Sequence, residues 1–402
     1  MGAPAAAPAP SAQEPSPGVR PVKHVVFDFD GLVLDTEGLI MGVAKEVCEG
    51  HGRPLRRSVS SKALGMRPVE AWQTVADSLG IEATGEQLFT ESEALLKNKW
   101  HEARMMPGAE RLLQHLSRHN VPLGLATSSL STTFVNKIAG RDHLLDLFDA
   151  KVFGDEVDKG KPHPDIFLEC ARRLGADPAE CLVIEDSPNG LEAARAAGMR
   201  SIAVPSLTDR DQYPAADLAA PAGCCEVLPS LLDMRPEVYG LPRFTDQVCG
   251  CVPLDHPWRI KGPVVRGFGR GSKLLGIPTA NLCPESLENQ LAEAVSGIYI
   301  GFCSLGDRPE VYEFAMSVGW NPVFKNKQRT AEPWILHEFA EDFYGEELRL
   351  VTVAYIRPEC DFPGLDALKE RIHEDGRIAR AALAQPPLAA LREDPFLRPA
   401  SP

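Results

Sequence analysis

From residue 23 to about 233, short apolar runs alternate with longer amphipathic ones. HVVF, PLGLA, KVFG, CLVIE and SIAV are separated by AERLLQHLSRH, HPDIFLECARRLG and NGLEAARAAG, whose apolar residues recur at helical spacing. Near-continuous apolar strands with helices between them predict a parallel sheet covered on both faces, a doubly wound α/β domain over 23–233. The stretch between the first two strand runs is far longer than one crossover helix requires. Within it, SVSSKALGMRPVEAWQTVADSLG and EQLFTESEALLKNKWHEA also have helical spacing, so a helical cap is expected at about 36–105.

After the turn-rich LLDMRPEVYGLPRF the period changes. PWRIKGPVVRG, GIPTANL, GIYIGFCSL, VYEFAMSVGW, WILHEF and ELRLVTVAYI follow, each bounded by Gly, Pro, Asn or Asp. Strands at this spacing predict a closed antiparallel β-barrel, and LDALKERIHEDGRIARAAL supplies one amphipathic helix at its end. The second domain is therefore placed at 254–384, behind a linker at 234–253. Residues 1–22 and the proline-rich 385–402 read as disordered tails.

Composition narrows the classes of partner. The formal net charge of −14 argues against nucleic acid and against an anionic membrane surface, both of which call for basic surface. No apolar run approaches the roughly 20 residues of a membrane span, and the N-terminus has no apolar secretion segment, so a cytoplasmic location is expected. The ten cysteines contain no C-x-x-C pair and read as reduced, mostly buried thiols. Nothing in the chain points to a particular protein partner.

Chemistry concentrates at the ends of the predicted parallel strands, where open α/β sheets bind their ligands. HVVFDFDG puts Asp28 and Asp30 after the first strand. Thr127 and Ser128 end the second, Lys161 in GKPHPD follows the third, and Glu185 and Asp186 in VIEDSPNG end the fourth. A lone D-x-D is more often a turn, but four successive strand ends carrying carboxylate, hydroxyl, cation and carboxylate converge on one edge. This ordered set resembles the haloacid dehalogenase-like superfamily. The resemblance implies that Asp28 attacks phosphorus, that Asp30 acts as general acid and then base, and that Mg2+ is held by Asp28, the Asp30 carbonyl and Asp186. It further implies Thr127, Ser128 and Lys161 as phosphate ligands and Glu185 as support behind the metal. Because Asp30 is present, the match is to the phosphatase branch. Arg67 in the cap is a candidate substrate contact, with a solvated helix-end arginine as the plain alternative, and Asp35 and Glu37 read as hinge residues of the cap.

The stretch GFGRGSKLLGIPTAN, residues 267–281, has the glycines and cations of a phosphate loop but fits neither the dinucleotide fingerprint nor a Walker A loop. Together with SGIYIGF, SVGWNPVF, EPWILHEFAEDFYGE and AYIRPE it resembles riboflavin kinase in order and spacing. That resemblance implies an ATP site at Gly267, Gly269, Gly271, Ser272, Lys273 and Asn321, with Thr279 and Asn281 on Mg2+. Spacing alone leaves Glu332, His337, Glu338 and Asp342 open as the base; the resemblance selects Glu332. FKNKQRT reads as a flap, and Arg371 and Ile372 as possible walls of the flavin pocket.

Kinase and phosphatase in one chain resemble the plant-type bifunctional riboflavin kinase/FMN hydrolase family. The resemblance implies riboflavin, FMN, ATP and ADP as ligands and Mg2+ in both sites. The alternatives for the first domain are a phosphatase of another small ester, such as a sugar phosphate or pseudouridine phosphate, or a scaffold without activity.

Overall fold

A computed structural model describes residues 21–205, 213–266, 277–282, 295–320 and 329–398. The chain divides into two compact units, Met1–Phe244 and Thr245–Pro402.

In the first unit the elements run β1 (His24–Phe27), β2 (Leu34–Asp35), α1 (Glu37–Gly50), α2 (Arg57–Ala63), α3 (Pro68–Leu79), α4 (Gly85–Leu96), β3 (Arg104–Met105) and α5 (Ala109–Arg118). They continue with β4 (Leu123–Thr127), α6 (Ser131–Ile138), β5 (Ala150–Phe153), α7 (Asp165–Leu174), β6 (Cys181–Glu185), α8 (Pro188–Ala196), β7 (Arg200–Ala203) and β8 (Gly223–Val227). The strands form one sheet in the order β5-β4-β1-β6-β7-β8, with every neighbouring pair parallel. Alternate residues of β1 serve opposite layers: Val25 and Phe27 pack with Leu112 and Leu116 of α5, while Val26 packs with Phe167 and Ala193 of α7 and α8. This two-sided burial explains why the strands read as unbroken apolar runs.

Helices α1 to α4 form the cap around a core of their own that includes Val47, Trp72, Leu88 and Trp100. The cap leaves and rejoins the sheet domain through the two-stranded ribbon β2–β3, in which Asp35 pairs with Arg104. The sixth strand, β8, has no counterpart among the runs read from the sequence. Its core is the vicinal Cys224-Cys225 pair, two small apolar side chains buried at the sheet edge.

The second unit contains β9 (Val252–Val265), β10 (Asn281–Leu282), β11 (Gly297–Leu305), β12 (Tyr312–Trp320), β13 (Arg329–Ile335), β14 (Glu347–Arg357), α9 (Leu365–Leu383) and α10 (Pro386–Ala389). The strands are antiparallel in the order β10-β9-β14-β11-β12-β13. The Ala280 N–H donates to the Pro333 carbonyl at 2.9 Å, which brings the two outer strands together and nearly closes the barrel.

Two boundaries differ from those read off the sequence. Met234, Tyr239, Leu241 and Phe244, assigned to a linker, are buried in the core of the first unit. Residues 386–398, assigned to a disordered tail, form α10 and two short 3-10 turns. Leu388 and Leu397 are buried with Phe302 and Val351, and Asp394 pairs with Arg259 at 2.7 Å. Proline content misled in both places, because Pro236, Pro386 and Pro395 each start a helical turn beside buried leucines or aromatics. Residues 1–20 and 267–276 lie outside the described residues.

Nine described cysteines are unpaired, and all but Cys249 and Cys360 are buried. Among the described residues no helix is long and apolar enough to cross a membrane.

Candidate functional sites

The central strand β1 lies between β4 and β6, so the chain ends of these three strands face one crevice. The Asp28 N–H donates to the Ile184 carbonyl at 3.0 Å, tying the first aspartate to the end of β6. There Ser187 caps α8 by accepting the Gly190 N–H at 3.1 Å, and Pro188 takes the first helical position. Asp186 is thus fixed between a buried strand and a capped helix.

Lys161 is the electrostatic centre. Its buried ammonium donates to Asp28 Oδ1 at 2.5 Å, to Glu185 Oε1 at 2.6 Å and to the Ala126 carbonyl at 3.1 Å. Burial pushes the Asp28 carboxyl up to about 7, against the opposing pull of Lys161. Lys161 itself is held above the ordinary lysine range, because the two carboxylates outweigh its desolvation. Carboxylate oxygens of Asp28, Glu185 and Asp186 lie within 4.8 Å of one another. Three buried carboxylates against one ammonium leave excess negative charge, and hard oxygen donors in this number suit a divalent cation such as Mg2+. Glu185 is the most committed of the three: its second oxygen accepts the Ser187 N–H at 2.8 Å and hydroxyl at 2.9 Å.

Gly31 makes the crevice possible. Its φ is +78°, and a Cβ there would stand 2.4 Å from Asp186 Oδ2. Only glycine lets the Asp28–Asp30 turn approach Asp186 this closely.

Asp30 is held by three donors: Thr36 Oγ1 at 2.9 Å, Ser129 Oγ at 2.6 Å and Lys137 Nζ at 2.7 Å. Although burial pushes its carboxyl up, Lys137 and the two hydroxyls hold it below the usual carboxylate value. None of these partners was singled out in the sequence. Lys137 carried a usable signal, since it shares the buried stripe of α6 with Phe134 and Ile138 and is only 6% exposed. A lysine on an apolar helix face calls for a partner.

Thr127 is fully buried at the end of β4, its hydroxyl accepting the Ser129 N–H at 3.1 Å. The Ser128 hydroxyl donates to the Gly65 carbonyl of the cap at 2.8 Å, and Asn189 donates to Leu64 O at 2.7 Å. Arg67 takes part in this docking. Its guanidinium donates to Asp158 O at 2.6 Å, lies 3.2 Å from Glu70, and is absent from the wall of the cavity beneath the cap. That cavity, about 170 Å³, opens onto Asp28, Asp30 and Asp186. Glu37, read as a hinge residue, lines it, and burial pushes its carboxyl up to about 7.

In the barrel, the Ala280–Pro333 hydrogen bond sets Thr279 and Asn281 beside Glu332. Asn281 Nδ2 donates to the Thr279 carbonyl at 3.4 Å. The Glu332 side chain is open to water yet ringed by enough protein to raise its carboxyl above the ordinary value. On the neighbouring strand Ser317 pairs with Glu332, and its hydroxyl lies 3.5 Å from Glu359. The sequence reading passed over Glu359. Its carboxyl is raised first by burial and then by the charge of Glu332, and a Cβ on Gly319 would meet it at 2.4 Å. His337 is packed against Tyr312 and Phe339, each ring 4.8 Å away, as a structural residue would be. Arg371 pairs with Asp375 at 2.9 Å. The expected nucleotide residues Gly267, Gly269, Gly271, Ser272, Lys273 and Asn321 lie outside the described residues, as does most of the expected flap.

Strand-end carboxylates around a buried lysine under a helical cap, followed by a six-stranded barrel, define a two-domain phosphoryl-transfer protein. Residues 25–204 match the haloacid dehalogenase-like hydrolase family and residues 254–383 the riboflavin kinase family. The chain is 44% identical to the bifunctional riboflavin kinase/FMN phosphatase of Arabidopsis thaliana, over 93% of its own length and 96% of the relative's. It belongs to that bifunctional family. The riboflavin kinase of Homo sapiens is 44% identical over 35% of this chain and 91% of its own length. A probable pseudouridine-5'-phosphatase of Drosophila melanogaster is 38% identical over 57% of this chain and 98% of its own length.

Proposed function

We propose that the second unit phosphorylates riboflavin from ATP and that the first hydrolyses FMN to riboflavin and phosphate. The observation that carries the hydrolase is the Asp28–Lys161–Asp186 cluster, since a nucleophilic carboxylate meets a phosphate dianion only where cations offset their repulsion. FMN rather than another ester follows from the relative in which both domains occur together.

In this reading the Asp28 carboxylate attacks phosphorus, the bond to the ribityl 5'-oxygen breaks, and Asp30 delivers a proton to the leaving oxygen. Water then attacks the aspartyl-phosphate, Asp30 takes its proton, and inorganic phosphate leaves. Lys137, Ser129 and Thr36 favour the Asp30 carboxylate, the form that takes the proton of the attacking water, and the proton gained there is the one Asp30 delivers to the leaving oxygen of the next FMN. Lys161 and the strand end at Thr127 receive phosphoryl oxygens. Asp28, Asp186 and the Asp30 carbonyl would hold Mg2+, which supplies charge neutralisation when bound. In the kinase, Glu332 takes the proton of the riboflavin 5'-hydroxyl as that oxygen attacks the γ-phosphate of ATP, and ADP leaves. Thr279 and Asn281 would hold its Mg2+.

The test is product analysis on the purified full chain: FMN with Mg2+ should yield riboflavin and phosphate, and riboflavin with MgATP should yield FMN and ADP. A chain that released phosphate from a sugar phosphate or pseudouridine phosphate far faster than from FMN would overturn the hydrolase half.

A further inference from the structure

We propose that Arg67 of the cap is a positioning residue for Lys161: it grips the backbone of the loop just before that lysine, so that the phosphate-binding ammonium is held in place only while the cap is seated. The inference rests on the phosphatase reading above and adds to it a residue that acts on the phosphoryl site through the protein backbone.

The cap leaves and rejoins the sheet domain through the short β2–β3 ribbon, so its seating depends on contacts made elsewhere. One tetrapeptide of the cap, Leu64-Gly65-Met66-Arg67, meets three of the strand-end loops. The Leu64 and Gly65 carbonyls accept from Asn189 and Ser128, beside the fourth and second strand-end groups. Arg67 reaches the third. Its guanidinium donates to Asp158 O at 2.6 Å and to Val157 O at 3.4 Å, and Glu70, 3.2 Å from its Nε and one turn further along α3, fixes its direction.

The contact is close as well as polar. A Cβ on Gly160 would stand 2.6 Å from Arg67 Nε and 2.9 Å from its Cγ, so the arginine side chain lies against the residue that precedes Lys161. Residues 157–160 belong to no helix or strand, and two charge-assisted bonds from Arg67 tie down the carbonyls of the first two. What they hold matters for Lys161. Its ammonium, buried with the rest of the side chain, must meet Asp28, Glu185 and the Ala126 carbonyl at once, and a long, freely rotating side chain reaches one such arrangement only from a fixed Cα. The coupling is reciprocal: a phosphate on Lys161 favours the seated cap as much as the seated cap favours the phosphate.

The test is Arg67→Ala in the full chain, assayed with FMN and with p-nitrophenyl phosphate, and with inorganic phosphate as inhibitor. For both esters kcat should fall about fivefold, and the inhibition constant of inorganic phosphate should rise by a similar factor, because all three share the phosphoryl site. That constant does not depend on how much of the sample is folded, so a merely structural loss leaves it unchanged. Gly160→Ala, whose methyl displaces Arg67, should reproduce both changes, and the double variant should be no worse than either single one. If Arg67→Ala does not fold, Gly160→Ala carries the phosphate measurement. An unchanged phosphate constant, a loss confined to FMN, or losses that multiply in the double variant would each overturn the proposal, the second by placing Arg67 on the leaving group. A chain that hydrolyses p-nitrophenyl phosphate but not FMN overturns the FMN reading alone, and the p-nitrophenyl phosphate and inorganic phosphate measurements then decide the role of Arg67.

Discussion

Replacing Gly31 by alanine perturbs the phosphatase crevice by one methyl group. The new Cβ would stand 2.4 Å from Asp186 Oδ2, about 1 Å short of ordinary van der Waals contact, and at φ +78° the backbone also resists a side chain. The left-handed conformation costs about 1–2 kcal/mol for a residue with a Cβ. Relieving the clash moves Asp186 by up to about 1 Å, and a misplacement of that size at a reacting centre lowers rates by about 10²-fold. FMN hydrolysis at saturating Mg2+ should therefore fall about a hundredfold, with the melting temperature of the first unit lowered by only a few degrees. Gly38→Ala is the matched control, because nothing lies within 4 Å of its added Cβ. Hydrolysis within about twofold of the unaltered chain, in folded Gly31→Ala protein, would refute the close approach of Gly31 to Asp186 as a requirement of the site.

Three further outcomes are expected. Glu332 works deprotonated, so acid silences it; because burial raises its carboxyl above 4.5, the acid limb of the kinase pH profile should lie above that pH, which a rate profile at saturating MgATP measures. Leu397→Ala removes a side chain buried with Phe302 and should destabilise the second unit by about 2–4 kcal/mol, seen in denaturant unfolding; a change under about 0.5 kcal/mol would mean the C-terminal segment is not packed. Arg67→Ala removes the latch on Asp158 O, so FMN kcat and KM should both shift several-fold while kinase rates hold; an effect on KM alone would return Arg67 to the substrate.

The strand ends carrying Asp28, Lys161 and Asp186 were legible because parallel-strand chemistry is local: each group follows an apolar run by one to a few residues, except Lys161, which a motif marks. The boundaries of α9 coincide with the amphipathic run read as a helix, since its period is long and uninterrupted. What the sequence hid was non-local. Lys137 meets Asp30 across 107 residues, and the Ala280–Pro333 closure joins segments with no shared pattern. The packing of 386–398 was hidden by proline, although Leu388, Leu391, Phe396 and Leu397 supply the apolar side chains. Composition describes what a segment contains, whereas burial depends on what lies opposite.

Both reactions assayed on two single-site variants of the full chain give the most direct test that this protein carries two separate phosphoryl-transfer sites. Asp28→Asn removes the attacking charge and should lower FMN hydrolysis by orders of magnitude while riboflavin phosphorylation stays near that of the unaltered chain. Glu332→Gln cannot accept the hydroxyl proton and should do the reverse. A folded Asp28→Asn protein that lost kinase activity too, or a Glu332→Gln protein that lost hydrolysis, would contradict the assignment of one reaction to each unit.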